Sequence, residues 1–342
     1  MGTPLKQVQR VHRGADLPLA AMVARLTGQS AADSKLIIRM GGAYLGKYRC
    51  KQADRAVKNG ERVSVYYRLP LVYDPVPFDP IWVLLDRRDF LLANKPPGLP
   101  TQGRRDADYM AFFEVLKKGL DGYLGLHHRL DQDTSGLMLF TRHRDRNKDV
   151  ADLFSGRDVV KTYVAVAQGD WPHGEDSLTV DAPIAPWRTK TGTRQRVHGD
   201  GKPASTVFRR LWSSGGLHLI EAIPHTGRTH QIRVHLAHVG LPLLGDSLYG
   251  APTEDTPAPP PKPAFLLHCA GLAWPKQGRI PGGNYGVAPP EIWWSRLPAE
   301  AREAFRQWWR DRGAPDSNHP ATGLVSLPAR ETTPIGSRGE SC

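Results

Sequence analysis

Through residues 81–274 of this 342-residue chain, apolar β-rich runs recur without a regular strand–helix–strand beat. IWVLLDRRDFLLANKPPG (81–98) carries two such runs around a charged turn and closes in a Pro-Pro-Gly turn. GLMLFTR, DVVKTYVAVAQG, STVFRRLW and GLHLIEAIP follow, with helical spacing over 107–119 and 145–155. Parallel strands need long crossovers, usually helices, whereas antiparallel neighbours need only short turns. The chain is therefore expected to be α+β, built on an antiparallel or mixed sheet. HQIRVHLAHVG (230–240) spaces Ile232, Val234, Leu236 and Val239 so that it reads as a strand passing into a helix.

Composition divides the rest of the chain. Residues 1–15 read as a flexible N-terminus and 16–72 as a small separate module. In that module LPLAAMVARL is amphipathic, SAADSKLIIRM opens with a helix-cap signal, and ERVSVYY alternates like a strand. The proline-rich YDPVPFDP (73–80) links it to the main domain, expected over 81–312. TEDTPAPPPKP (253–263) reads as a stiff surface loop. Residues 313–342 are rich in Pro, Ser, Gly and Thr and are expected to be disordered.

The formal net charge is +12, and residues 1–70 hold 13 basic against 4 acidic side chains. Such a block favours a polyanionic partner, since each neutralised phosphate releases condensed counterions; a solvated basic surface explains the charge equally well. No apolar run is long enough to span a bilayer. LPLAAMVA (17–24) follows Asp16 without a cleavage site, so a signal peptide is not expected. Three scattered cysteines, Cys50, Cys269 and Cys342, suit a reducing cytoplasm.

The densest chemistry lies in HHRLDQDTSGLMLF (127–140), where ionisable residues lead into a wholly apolar strand. His225, His230, His235 and His238 do not have HExxH spacing, and no cysteine is near, so no metal is expected. Ser135, His128 and Asp131 lack a GxSxG elbow, and close neighbours on an extended segment point to alternate faces. Neither GxxxxGKS nor GxGxxG occurs. What remains is a carboxylate at the end of a buried strand. Held rigidly beside a cation, it can act as nucleophile or base; as an ordinary turn aspartate it would do neither. Both readings stand on the residues alone.

HRLDQDTSG resembles the signature of the RluA-type pseudouridine synthases. NKPPGLPTQG (94–103), KTYVAVAQG (161–169), GKPAST (201–206), the segment PHTGRTHQIRVHLAHVGLPLLGDSLYG (224–250) and LLHCAGLAW (266–274) resemble five further motifs, in the family's order. The resemblance covers roughly 80–275 and implies the pseudouridine-synthase fold, a mixed, largely antiparallel sheet flanked by helices. It implies that Asp131 is the catalytic aspartate, attacking the uridine ring or its sugar, with Arg233 pairing with it. Tyr163 would stack on the flipped base and help remove the C5 proton, and Arg129 would enter the vacated space. Arg228, His230 and Gln231 would bind the RNA backbone or brace the loop, and Lys161, Lys202 and Lys95 complete the RNA-binding set. The reaction is an isomerisation and needs no cofactor. Family members act on ribosomal or transfer RNA, and we expect a monomer. Residues 16–72 resemble an S4-type RNA-binding module, which favours ribosomal RNA, although GGAYLG replaces the usual Val-Asn-Gly turn. A catalytically idle RNA-binding protein of this fold would be expected to lack one of Asp131, Tyr163 or Arg233, and all three are present.

Overall fold

The computed structural model describes residues 5–71, 76–108, 110–189, 192–250, 263–314 and 323–328. Its first part is a four-stranded sheet with two helices and a hydrophobic core of its own. The strands lie in the order Lys6–Val11, Arg62–Tyr67, Ala43–Leu45 and Tyr48–Arg49. Helix Ala31–Met40 starts where the Ser30 hydroxyl accepts the Asp33 amide, as the cap signal predicts. Leu19, Val23, Ile37, Ile38, Val63 and Val65 fill the space between helices and sheet. The expectation of a flexible N-terminus over 1–15 is corrected here: Lys6–Val11 pairs antiparallel along the whole of Arg62–Tyr67. Lys6, Val8 and Arg10 share one face and Gln7, Gln9 and Val11 the other, and only Val8 and Val11 are partly buried, as suits a polar edge strand.

This module rests on the segment after the first motif of the main domain. Asp106, buried, takes the Arg68 guanidinium at 2.8 Å, and Asp108 takes Arg49 at 2.9 Å and Lys51 at 2.7 Å. The Asp108 amide also donates to the Met40 carbonyl at 3.1 Å. Part of the module's basic excess is thus spent on the main domain.

The main sheet runs Ser177–Asp181, Ser205–Ser214, Leu217–Pro224, Val160–Gln168, Leu267–Trp274, Ser135–Thr141, Phe90–Lys95 and Val83–Asp86. Along this path only Ser135–Thr141 and Leu267–Trp274 are parallel, so the sheet is mixed and largely antiparallel, as expected. Its central strands are buried on both faces, which is why they read as continuous apolar runs. In Val160–Gln168, Tyr163, Ala165 and Ala167 face one core and Val164 and Val166 the other. Helices Phe112–Gly119, Asn147–Gly156 and Gln231–His238 cover the first face through Phe112, Leu116, Val150, Leu153, Ile232 and Leu236. Helix Ala299–Arg310 covers the second through Phe305, Trp308 and Trp309.

Two further expectations change. The segment from His230 is no strand: Gln231–His238 is helical from its first residue, and all of Gln231–Leu236 are buried. Burial on every side removes the one-sided pattern from which the period is read. The expected disorder after 313 does not hold at Val325–Ser326, which pairs with Gly283–Gly286 while Asn284 bonds to Leu327 and Pro328. The short apolar group LVSLP supplies the contact. Residues 253–262, 315–322 and 329–342 lie outside the described residues.

The strand after HHRLDQDTSG depends on one glycine. Gly136 has φ of +118° and sits opposite Cys269 in the parallel pair, where a Cβ would run into the Cys269 backbone. Left-handed strain and overpacking then act together, so Gly136→Ala is expected to destabilise the protein by about 3 kcal/mol in urea unfolding. A loss under about 0.5 kcal/mol, the scale of an ordinary surface substitution, would contradict this account.

Candidate active site

The HHRLDQDTSG segment crosses from the two-residue strand Gly125–Leu126 to Ser135–Thr141 as a loop with little regular structure, so its shape comes from tertiary bonds. The Thr101 hydroxyl accepts the Leu130 amide at 3.0 Å and donates to the Leu130 carbonyl at 2.7 Å. The Gln132 carbonyl accepts the Gly98 amide and the Lys95 ammonium, each at 2.9 Å. His128 accepts the Leu139 amide through Nε2 at 2.9 Å and stacks on Phe154, and His127 bonds to Thr141. Burial, helped by the positive charge of Lys161, pushes His128 down to about 3, so it is a neutral brace. The NKPPGLPTQG motif is thus the cradle of this loop.

Asp131 emerges from the cradle with its carboxylate only 18% exposed. Arg233, on the first turn of helix Gln231–His238, donates Nη1 to Asp131 Oδ2 at 3.1 Å. Its other edge makes two bonds to buried Asp246, Nε to Oδ2 at 2.7 Å and Nη2 to Oδ1 at 2.9 Å. The guanidinium lies between rings, 4.4 Å from the Phe265 centroid and 5.0 Å from that of Tyr249. Burial alone would lower the arginine pKa, but the bonds to Asp246, reinforced by Asp131, leave it raised and the cation permanent. A fixed cation keeps the adjacent carboxylate charged and aimed.

Asp131 opens onto a cleft of about 820 Å³ that Arg129, Lys161, Tyr163, Arg228 and His230 also line. Tyr163 is buried in its strand; burial first, then Cys269 and the Asp131 carboxylate, raise its pKa well above 10.0, so it is a neutral phenol. Lys161 is half-buried, its pKa lowered by that burial. Arg129 is exposed, and Arg228 donates to the Pro203 carbonyl at 3.0 Å. The His230 ring stands 3.8 Å from Asp131 Oδ1. Basic and aromatic groups thus share one cavity with a fixed carboxylate. Among the described residues no three His, Cys, Asp or Glu side chains are placed to hold a metal, and no helix is long and apolar enough to cross a membrane.

Of the residues assigned to RNA binding, Lys95 is corrected and Gln231 keeps only the bracing half of its expected role. Lys95 is fully buried, and its Nζ donates to the carbonyls of Pro96, Leu99 and Gln132 at 2.9, 2.6 and 2.9 Å. No donor is left for a phosphate. Gln231 is buried with its amide saturated: the oxygen accepts from Thr226 and the Arg228 amide, and the nitrogen donates to Ser205 and Thr206. It braces the loop. Lys202 is exposed and does not line the cleft. The Ser-His alternative loses its geometry as well. Buried Ser135 bonds to His268 at 2.8 Å, His268 bonds on to the Val287 carbonyl, and His128 is occupied elsewhere. Sequence reasoning missed Asp246, Tyr249 and Thr101. All three lie inside recognised motifs, but nothing in their spacing shows that they touch Arg233, His230 and Leu130.

Residues 89–238 match the family described as RNA pseudouridylate synthase. An uncharacterized RNA pseudouridine synthase of Bacillus subtilis, YlyB, is 33% identical over 231 residues, covering 65% of this chain and 73% of that protein. The ribosomal large subunit pseudouridine synthase D of Yersinia pestis is 36% identical over 186 residues, 53% of this chain and 55% of that one. Among solved structures, human RNA pseudouridylate synthase domain containing 1 aligns over 70% of this chain and 100% of its own, with a TM-score of 0.51 and 24% identity. The chain belongs to the RNA pseudouridine synthase family. It spans 50%, 58% and 66% of the length of three other curated relatives that it matches.

The cradle carries a pH signature. Burial pushes Lys95 from 10.5 down to about 7, against the opposing pull of Asp133 and Asp131. Between those two values the unfolded chain holds a proton that the folded chain has released, so rising pH favours the folded state. Below pH 7 both forms are protonated and the cost of burying the ammonium is constant. The stability of the wild type minus that of Lys95→Met should therefore rise by about 1 kcal/mol per pH unit between pH 7.5 and 9.5. Urea unfolding across this range checks it, and a flat difference would contradict a depressed Lys95.

Proposed function

We propose that the protein isomerises uridine to pseudouridine within structured RNA, with ribosomal RNA favoured over transfer RNA as substrate. The observation that carries this reading is the Asp131 carboxylate, held by Arg233 and facing a basic cleft beside the Tyr163 ring. A uridine inside folded RNA must leave its stack to reach such a group, at a cost on the order of a few kcal/mol. Phosphate contacts from Arg129, Arg228 and Lys161, and stacking on Tyr163, offset that cost. Asp131 attacks the uridine ring or its sugar, and the N1–C1′ bond breaks. The base turns within the cleft, and C5 bonds to C1′. Loss of the C5 proton and gain of one at N1 restore the ring; Asp131 leaves C1′ as C5 bonds there if it attacked the sugar, and leaves the ring with loss of the C5 proton if it attacked the base. Nothing is oxidised and no external group is added, so the sequence of steps closes without a cofactor. Because Tyr163 is a neutral phenol in the resting site, its first contribution is the ring face; acting as proton acceptor at C5 requires passing on its own proton.

Arg129, exposed on the cleft wall, suits the wedge that fills the vacated space. The N-terminal module, read from its sequence as S4-like and carrying a net positive charge, extends the RNA contact. The relative named for the ribosomal large subunit supports that substrate class. Free Cys50 and Cys269 suit a reducing, cytoplasmic compartment, and a monomer is proposed with it.

The test follows from the C5 proton. RNA carrying tritium at C5 of uridine should release label with the purified protein. Asp131→Asn should abolish release while RNA affinity stays within a few-fold, because the amide keeps the shape and loses the nucleophile. Turnover retained by Asp131→Asn would overturn the assignment.

A further inference from the structure

His230 has a geometry that RNA contact does not explain. Among the described residues it is one of two non-glycine residues at positive φ, at +56°, immediately before helix Gln231–His238. Such a backbone costs about 1 kcal/mol or more and persists only where its surroundings enforce it. Its Nδ1 lies 2.7 Å from the Tyr249 hydroxyl, and that same oxygen accepts the Gln195 backbone amide at 3.1 Å. Gln195 belongs to the hairpin of Ile184–Thr189 and Gly192–Val197.

A backbone N–H can only donate, so the Tyr249 oxygen accepts from Gln195. That oxygen has two lone pairs and one hydrogen, so toward His230 Nδ1 it can either donate or accept a second bond. Donation uses the Tyr249 hydrogen, which has no other acceptor among the described residues, and it leaves a neutral imidazole with its proton on Nε2. That nitrogen is the one 3.8 Å from Asp131 Oδ1. Arg233 binds the other oxygen, Oδ2, at 3.1 Å. The two carboxylate oxygens are therefore unlike. One is tied to a cation, and the other faces a neutral N–H at 3.8 Å, beyond hydrogen-bond distance but close enough to limit where the oxygen can move.

We propose that His230 is a positioning residue for Asp131, presenting a neutral Nε2–H to Oδ1 with its tautomer set by Tyr249 and the hairpin amide of Gln195. This deepens the reading of Asp131 as nucleophile and rests on it. A charged imidazolium there would pair with Oδ1 and draw off the electron pair that attacks. A neutral one bounds the approach of that oxygen without quenching it. The charged groups around the ring are Asp131, Arg233, Asp246 and Arg129, with Tyr249 the titratable contact. Burial outweighs the carboxylates and keeps the ring neutral. Because the hydrogen-bond chain begins in the hairpin, displacement of that hairpin would be felt at Asp131.

The experiment has two arms on the full chain. Nitrogen-15 NMR of His230 should show Nε2 protonated and Nδ1 bare, and Tyr249→Phe should change that pattern. In single-turnover assays on RNA, His230→Ala should slow isomerisation roughly 10- to 100-fold with the RNA dissociation constant within about twofold. His230→Gln, whose amide places an N–H near the Nε2 position, should recover much of the loss. Tyr249→Phe should slow the wild type but add little in the His230→Gln background. A weakened RNA affinity at unchanged rate would make His230 an RNA contact and overturn the proposal. So would an Nδ1-protonated ring, or one indifferent to Tyr249→Phe. A wild type inactive on RNA would instead defeat the functional reading, and the NMR arm would still decide the tautomer.

Discussion

Everything at the site turns on where one guanidinium is held. Arg233 bonds Asp246 with two of its nitrogens and Asp131 with a third, between the faces of Phe265 and Tyr249. Lysine has no planar fork and could not make both contacts in one rigid geometry. Asp246 is 1% exposed, and without the arginine its buried charge would stand uncompensated. The two-point bond to Asp246 therefore fixes the cation first, and Asp131 receives a partner already in place. That order of dependence makes the carboxylate's direction a property of the fold, and no bound substrate is needed to set it.

Two architectural features deliver the pair to each other across 102 positions of sequence. The buried parallel pair of Ser135–Thr141 and Leu267–Trp274, with Gly136 at its closest approach, anchors the far end of the Asp131 loop. Thr101 and Lys95, from the strand and turn alongside, hold Leu130 and Gln132 by their backbone groups. The Arg233 side comes from a helix whose entry is set by Gln231 and by the strained His230.

The strand runs were legible because apolar runs are local signals. Asp131, Tyr163 and Arg233 were legible through the motifs, and the structure brings them to one cleft. What the sequence left hidden depends on long-range contact. Lys95 and Gln231 look like phosphate ligands in one dimension, because a long polar side chain gives no sign of being saturated inside. Asp246 reads as a turn residue until Arg233 is folded against it. Lys6–Val11 reads as a tail because its partner, Arg62–Tyr67, lies some fifty residues on. The helical start of Gln231–His238 escaped, reading as strand, because burial on all sides erases its period.

The account stands or falls on whether this site rearranges uridine in RNA. The most direct measurement is pseudouridine mapping at nucleotide resolution across total RNA from cells with and without the gene. At least one uridine, in a folded region, should be converted only where the gene is present. Identical maps would contradict the proposed chemistry, whatever RNA the protein binds.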